Sequence, residues 1–131
     1  MKILYLVVGK EWYDMLCSGE KPYEYRELKP YWIDRLITFK RELEPAVYDE
    51  LCNDLKRPTL HHKNISELLK FFDCEFNSFD AIKFKNGYSS SAPSFIREFK
   101  GIEIGFPISG VAYNEWLKTN VFVIKTGAIL K

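Results

Sequence analysis

A lysine, a glutamate and an arginine stand at Lys21, Glu24 and Arg26 inside the octapeptide Gly19-Glu20-Lys21-Pro22-Tyr23-Glu24-Tyr25-Arg26, giving the spacing G-x-K-x-x-E-x-R. An ammonium beside a carboxylate supports two kinds of chemistry. In a cleft, the lysine holds an anionic or carbonyl oxygen, or acts as a base where desolvation favours its neutral form, and Glu24 orients it or accepts from the donor edge of a ligand. On a surface the same residues are ordinary: Glu24 and Arg26 form a strand-neighbour ion pair worth about 0–1 kcal/mol, and Lys21 is solvated. From these residues alone both readings stand.

The elements that must position them are legible. Lys10 to Ser18 carries apolar residues at Trp12, Met15 and Leu16, the i, i+3, i+4 spacing of a helix with one buried stripe. Gly19 comes next, where a left-handed cap ends such a helix. Pro22 forbids helical continuation and biases Lys21 towards extended backbone. Pro22 to Leu28 then alternates, with Tyr23 and Tyr25 on one face and Glu24 and Arg26 on the other, as in an aromatic-rich strand. Lys21 lies at the junction of loop and strand.

A second group gathers at Lys83, Lys85, Asn86 and Tyr88. Asp80 to Lys85 alternates, Ala81, Lys83 and Lys85 against Ile82 and Phe84, which predicts a half-buried strand, and Asn86-Gly87 supplies a turn. Ser89-Ser90-Ser91 before Ala92-Pro93 reads as a hydroxyl-capped helix start, and the apolar positions Phe95, Ile96 and Phe99 predict a helix over 92–99 ended by Gly101. Two readings compete here as well. A serine run before a helix is capping and turn chemistry; two cations, an amide and an aromatic within six residues are what a phosphate-and-base site needs, one stacked base being worth about 1–3 kcal/mol.

The octapeptide, placed after a short amphipathic helix, resembles the signature of the ASCH domain, a member of the PUA-like group of small barrels associated with RNA and modified nucleobases. Gly19, Lys21, Glu24 and Arg26 occupy all four signature positions. The order of Asp80-Ala-Ile-Lys-Phe-Lys-Asn-Gly-Tyr88, a short helix, Lys100-Gly-Ile-Glu-Ile-Gly105 and Phe122-Val-Ile-Lys-Thr-Gly127 is similar to the later half of phage and bacterial members. The resemblance covers residues 1–38 and about 78–131.

It implies an α+β fold: a small mixed β-barrel of about five to six strands with short helices, one ASCH/PUA-like domain over 1–131 with a helical insertion at 39–76. It also implies a cleft around the motif that binds single-stranded RNA, a nucleotide or a modified nucleoside through Lys21, Glu24, Arg26, Lys83, Lys85, Asn86 and Tyr88, with no cofactor. An alternative is a hydrolase, a ribonuclease or nucleoside amidohydrolase with Lys21 and Glu24 catalytic. In the amidohydrolase branch the motif lysine works with a threonine three residues later and a distant glutamate. Here that position is Glu24, and a carboxylate does not replace a hydroxyl nucleophile without changing the mechanism. For RNA cleavage, Lys21 would stabilise a phosphorane and Glu24 would deprotonate the 2′-hydroxyl. A third reading is a protein-interaction module working through the acidic insert.

Composition fits one small domain. A chain of 131 residues buries roughly two-thirds of its unfolded surface, enough for a core without metal or disulfide support. Cys17, Cys52 and Cys74 are widely spaced and odd in number, which argues against a zinc site or disulfide framework. The balance of charge is uneven: net +1 over residues 1–40, −4 over 41–80 and +4 over 81–131. A pI near 7.7 speaks against coating long duplexes, which takes many phosphate contacts, and leaves recognition of a nucleotide or a few unpaired bases open.

The apolar run Met1 to Val8 is too short to span a bilayer and has no cleavage-site pattern after it, so it predicts a buried first strand, 3–8, in a cytoplasmic protein without a membrane partner. The acidic middle predicts two helices, one within Arg41 to Leu55 that either starts at about Glu44 or is kinked there by Pro45, and one capped by Asn64 with Leu68, Leu69, Phe71 and Phe72 on its apolar face. The pair forms an inserted hairpin or lid. Adjacent His61 and His62 lack a partner at metal-like spacing, so no metal is expected. Strands at 102–104 and 119–125 complete the count, with Trp116 between them as a core plug or a stacking platform.

Overall fold

A computed structural model describes residues 1–57, 62–108, 112 and 119–131; Trp116 and His61 lie outside the described residues, as does the side chain of His62. The chain is α+β. In order it forms β1 (Ile3–Val7), α1 (Lys10–Ser18), β2 (Tyr23–Arg26), α2 (Pro30–Leu36), β3 (Ile37–Phe39), α3 (Pro45–Lys56), α4 (His62–Phe71), β4 (Cys74–Phe76), β5 (Ala81–Lys85), β6 (Ser94–Gly105) and β7 (Val121–Ile129). Five strands make one mixed sheet in the order β1-β5-β6-β7-β2, and β3 pairs with β4 in a separate ladder. The strands expected at 3–8, 22–28, 80–85 and 119–125 are in the sheet with shifted ends, whereas the short one expected at 102–104 is only the end of the 12-residue β6.

The described residues group into two compact units. The first comprises Met1–Glu24, Ser78–Gly101 and Ile124–Lys131. In it β1 runs parallel to β5, pairing Leu4 with Ile82 and Leu6 with Phe84, and β5 runs antiparallel to β6, pairing Ile82 with Arg97 and Phe84 with Phe95. Paired residues share a face. The face carrying Leu4, Leu6, Ile82, Phe84 and Phe95 is buried. Helix α1 lies on it: the Tyr13 ring meets Phe95 edge-on at 5.0 Å, and Phe95 stacks on Phe84 at 5.1 Å. Burial, with Cys17 and Asp14 nearby, holds the Tyr13 hydroxyl above its usual pKa.

The expected helix over 92–99 is instead the first half of β6. Phe95 and Ile96, adjacent in sequence, fit either a helix stripe or the two faces of a strand, and the ladder to β5 decides for the strand. The serines make a turn. Ser91 and Ala92 donate their backbone N–H groups to Ser89 Oγ and to the Ser89 carbonyl, so no helix is capped. Gly101 ends nothing; it sits within β6 at φ 129°, a conformation that glycine alone adopts without strain. Gly127 is required for a different reason, since a Cβ there would lie 2.6 Å from Lys100 Cε and 2.9 Å from Glu98 Cβ.

The second unit comprises Tyr25–Asn77 and Ile102–Val123. Helix α2, not expected from the sequence, starts on Pro30 and buries Ile33 and Leu36. The β3–β4 ladder sets Ile37 opposite Phe76 and Phe39 opposite Cys74, tying together the two ends of the segment that holds α3 and α4. Helix α3 begins at Pro45 after Glu44, the start rather than the kink of the two expected alternatives, and buries Leu51, Cys52 and Leu55. Helix α4 begins at His62, so Asn64 lies inside its first turn rather than capping it. Among its described side chains Ile65 and Leu69 are buried, whereas Phe71, expected on the apolar face, is 72% exposed. Asp73 ends the segment at φ 55°, the left-handed position that glycine usually fills.

Cys17 is exposed, while Cys52 and Cys74 are buried free thiols. Burial raises both buried thiols, that of Cys74 from the ordinary 9.0 up to about 11. As pH rises above 9 the unfolded chain gives up the Cys74 proton before the native one does, so native stability contributed by this group is intact below 9 and falls towards 11. Urea midpoints should therefore drop between pH 8.5 and 10.5, and the drop should shrink in Cys74→Ala. In native protein a thiol reagent should modify Cys17 alone.

Candidate functional site

Helix α1 delivers Lys21 to its place. Its C-cap, Gly19, takes φ 87° as expected, turning the chain out of the helix. The last turn is tied to the residues after it: the Lys21 N–H donates to the Met15 carbonyl at 3.0 Å, and the Ser18 hydroxyl donates to the same carbonyl at 3.1 Å. Arg97 reaches across from β6, donating from Nη1 to the Leu16 carbonyl at 2.8 Å and from Nε to the Gly127 carbonyl at 2.7 Å. A cation at the C-terminus of a helix also complements the helix dipole. Pro22 accepts twice from Thr126, through the N–H at 3.2 Å and the hydroxyl at 2.6 Å, fixing the start of β2 beside β7.

With both sides of the turn anchored, Lys21 and Glu24 meet. Lys21 Nζ lies 3.0 Å from Glu24 Oε1 and 4.3 Å from the centre of the Trp12 ring. Both residues are 2% exposed. Alternation sets Glu24 and Tyr25 on opposite faces of β2, and the strand is buried at both. A carboxylate, an ammonium and an indole face thus converge in a dry environment, where each interaction is stronger than in water. The arrangement can hold a donor–acceptor edge or move a proton.

The remaining expected residues are placed elsewhere. Arg26 belongs to the second unit, donates to the Tyr25 carbonyl at 2.8 Å and lies 5.1 Å from the Trp32 ring. Lys83 and Lys85 sit half-buried on β5, which is separated from β2 in the sheet by β6 and β7, three strand spacings or about 14 Å. Asn86 donates its amide to the Val8 carbonyl at 3.0 Å, fastening the turn after β5 to the end of β1. Tyr88 is 90% exposed. Trp12 was not expected as a partner of Lys21, for its spacing marked it only as part of an apolar stripe.

A third buried polar residue, Asn120, carried no signal in the sequence. In the second unit it donates to the Arg57 carbonyl at 2.8 Å, and Thr119 donates to the Lys56 carbonyl at 3.3 Å, so these two side chains close the C-terminus of α3. Asn120→Ala is expected to lower stability by about 1–3 kcal/mol in urea titration, since it strands a carbonyl. A pocket of about 120 Å³ opens beside Asn120, between Glu27–Lys29 and Lys56, and holds neither Lys21 nor Glu24.

Among the described residues, no group of three or more His, Cys, Asp or Glu side chains could hold a metal ion, and no helix is long and apolar enough to cross a membrane. No protein-family model matches the chain, and no curated protein or solved structure matches it either.

Proposed function

We propose that this chain is a nucleobase-binding module of the ASCH, PUA-like kind, in which Lys21 and Glu24 together read the edge of an unpaired or modified base of RNA. The 3.0 Å contact between two charged side chains that are each 2% exposed carries the reading. Buried ion pairs are poor stabilisers: desolvation offsets their attraction, and apolar side chains of like volume often serve the fold as well or better. What a buried pair offers is complementary hydrogen bonding. The carboxylate accepts from an amino or imino group, the ammonium donates to a carbonyl, and the Trp12 ring beside them suits a flat, polarisable guest. A base lacking either group would make one hydrogen bond fewer to the pair, which is how such a pair discriminates. The sequence G-x-K-x-x-E-x-R supports the same reading.

The test is a thermal-shift and mass-spectrometric screen of nucleosides, their acetylated and methylated derivatives and short single-stranded RNAs. Wild type is compared with Lys21→Met/Glu24→Leu, which removes both charges at similar volume. Stabilisation without conversion, about 2.7 kcal/mol at a ligand concentration of 100 Kd, is expected in the wild type and not in the double variant. Conversion of a panel member would replace the binding module by a hydrolase using Glu24 as base. Equal responses in both proteins, or none in either, would remove the pair from the function.

A further inference from the structure

We propose that the second face of the sheet in the first unit is a platform for single-stranded nucleic acid, with Tyr5 as a stacking ring and Lys83 and Lys85 as phosphate contacts. The proposal goes beyond the reading of the ion pair, because none of its residues belongs to that pair.

Register defines the face. Tyr5 pairs with Lys83 and Lys83 with Ile96, so these three cross the sheet in one row; Val7, Lys85 and Ser94 form the next. All point away from the face that α1 covers. Their exposure agrees: Tyr5 is 61% exposed, Ser94 is exposed, and Lys83 and Lys85 are half-buried between buried neighbours. A large aromatic ring is thus left in solvent on a strand whose alternate residues, Leu4 and Leu6, are core.

Charge says what suits the face. Glu98 and Lys100 extend it along β6, their side chains meeting at 3.2 Å over Gly127. Glu98 is further engaged by the Ala128 N–H at 2.9 Å. The one carboxylate is therefore matched by Lys100, and Lys83 and Lys85 are surplus cations with no ion-pair partner among the described residues. They stand two residues apart on a strand, about 6.6 Å, a separation that neighbouring phosphates of an extended strand can follow. Tyr88, an exposed ring, lies three residues past Lys85 in the turn after β5. Aromatic rings beside a few cations on an open sheet are the parts with which proteins hold unpaired strands with little sequence preference.

Fluorescence anisotropy with labelled oligoadenylates of about 12 nucleotides, as RNA and as DNA, tests this at several salt concentrations. Wild type should bind at low salt. Tyr5→Ala should weaken binding about 5- to 150-fold, the range for loss of one stacked base, and Tyr5→Phe should restore it. Lys83→Gln/Lys85→Gln should reduce the slope of log K against log salt by about 1.4, as expected for two phosphate contacts on a single strand. Tyr5→Ala should keep the wild-type response to single nucleosides, which separates this proposal from the ion-pair reading. Circular dichroism and melting curves identify variants that fail to fold. Equal affinity in all variants or no binding by wild type would overturn the proposal. So would sedimentation showing that Tyr5→Ala dissociates a dimer, since a second copy of the chain would then occupy the face.

Discussion

Glu24→Ala should cost about 3–5 kcal/mol of folding stability, because it leaves the Lys21 ammonium buried without its carboxylate partner at 3.0 Å. Lys21→Ala should cost a similar amount from the other side. The informative result is the combination: Lys21→Met/Glu24→Leu is expected to recover most of the loss, so that the two changes together are far less damaging than their sum. Urea titration of the wild type, both single variants and the double variant closes this thermodynamic cycle. If instead the double variant lost as much as both singles together, the residues would act independently, and the contact would carry neither stability nor recognition. A lysine outside such a pair would respond differently: truncating a solvated Lys21 changes stability by a few tenths of a kcal/mol.

Arg97→Ala should lower stability by about 3 kcal/mol, and its effect should reach the turn that carries Lys21. The guanidinium closes the Leu16 carbonyl of α1 and the Gly127 carbonyl of β7 at once, and hydrogen bonds to charged groups are worth about 1.5–3 kcal/mol each before relaxation. Arg97→Lys should rescue only part of this, since one ammonium lacks the planar fork that serves two divergent acceptors. Hydrogen exchange should show faster opening of the Lys21 amide, whose bond to Met15 belongs to the same helix end. Exchange unchanged at Lys21 would mean that α1 holds its last turn without help from β6.

How far the sequence reached can be traced through these residues. Gly19, Pro22 and the stripe Trp12-Met15-Leu16 impose their conformations locally, and the helix, its left-handed cap and the strand after it are where those residues put them. Pro45 after Glu44 likewise sets the start of α3 from within. Local signals failed where the outcome depends on a distant partner. Phe95 and Ile96 satisfy a helix as readily as a strand until β5 is placed beside them. Helix α2 is short, and its start on Pro30 is the one strong mark it carries. The burial of Glu24 was illegible for the same reason: alternation assigns a face, but it does not say that both faces of β2 will be covered. Arg97 was invisible as a clamp because its acceptors are backbone carbonyls, which every residue possesses.

The pairing of β1 with β5 carries a consequence for synthesis. Ile3 to Val7 finds its ladder partner in Ala81 to Lys85, about 78 residues further along the chain. At roughly 5–20 residues per second, a ribosome needs about 4–16 s to make that stretch, during which the first strand has no neighbour to pair with. Ile-Leu-Tyr-Leu-Val is apolar and β-prone, so the nascent chain presents a sticky N-terminal segment for the whole interval. Segments between the two can meanwhile build their own local contacts, β3 and β4 included. Slow refolding limited by this non-local closure, and better yields at lower translation temperature or with added chaperone, are what such an arrangement entails.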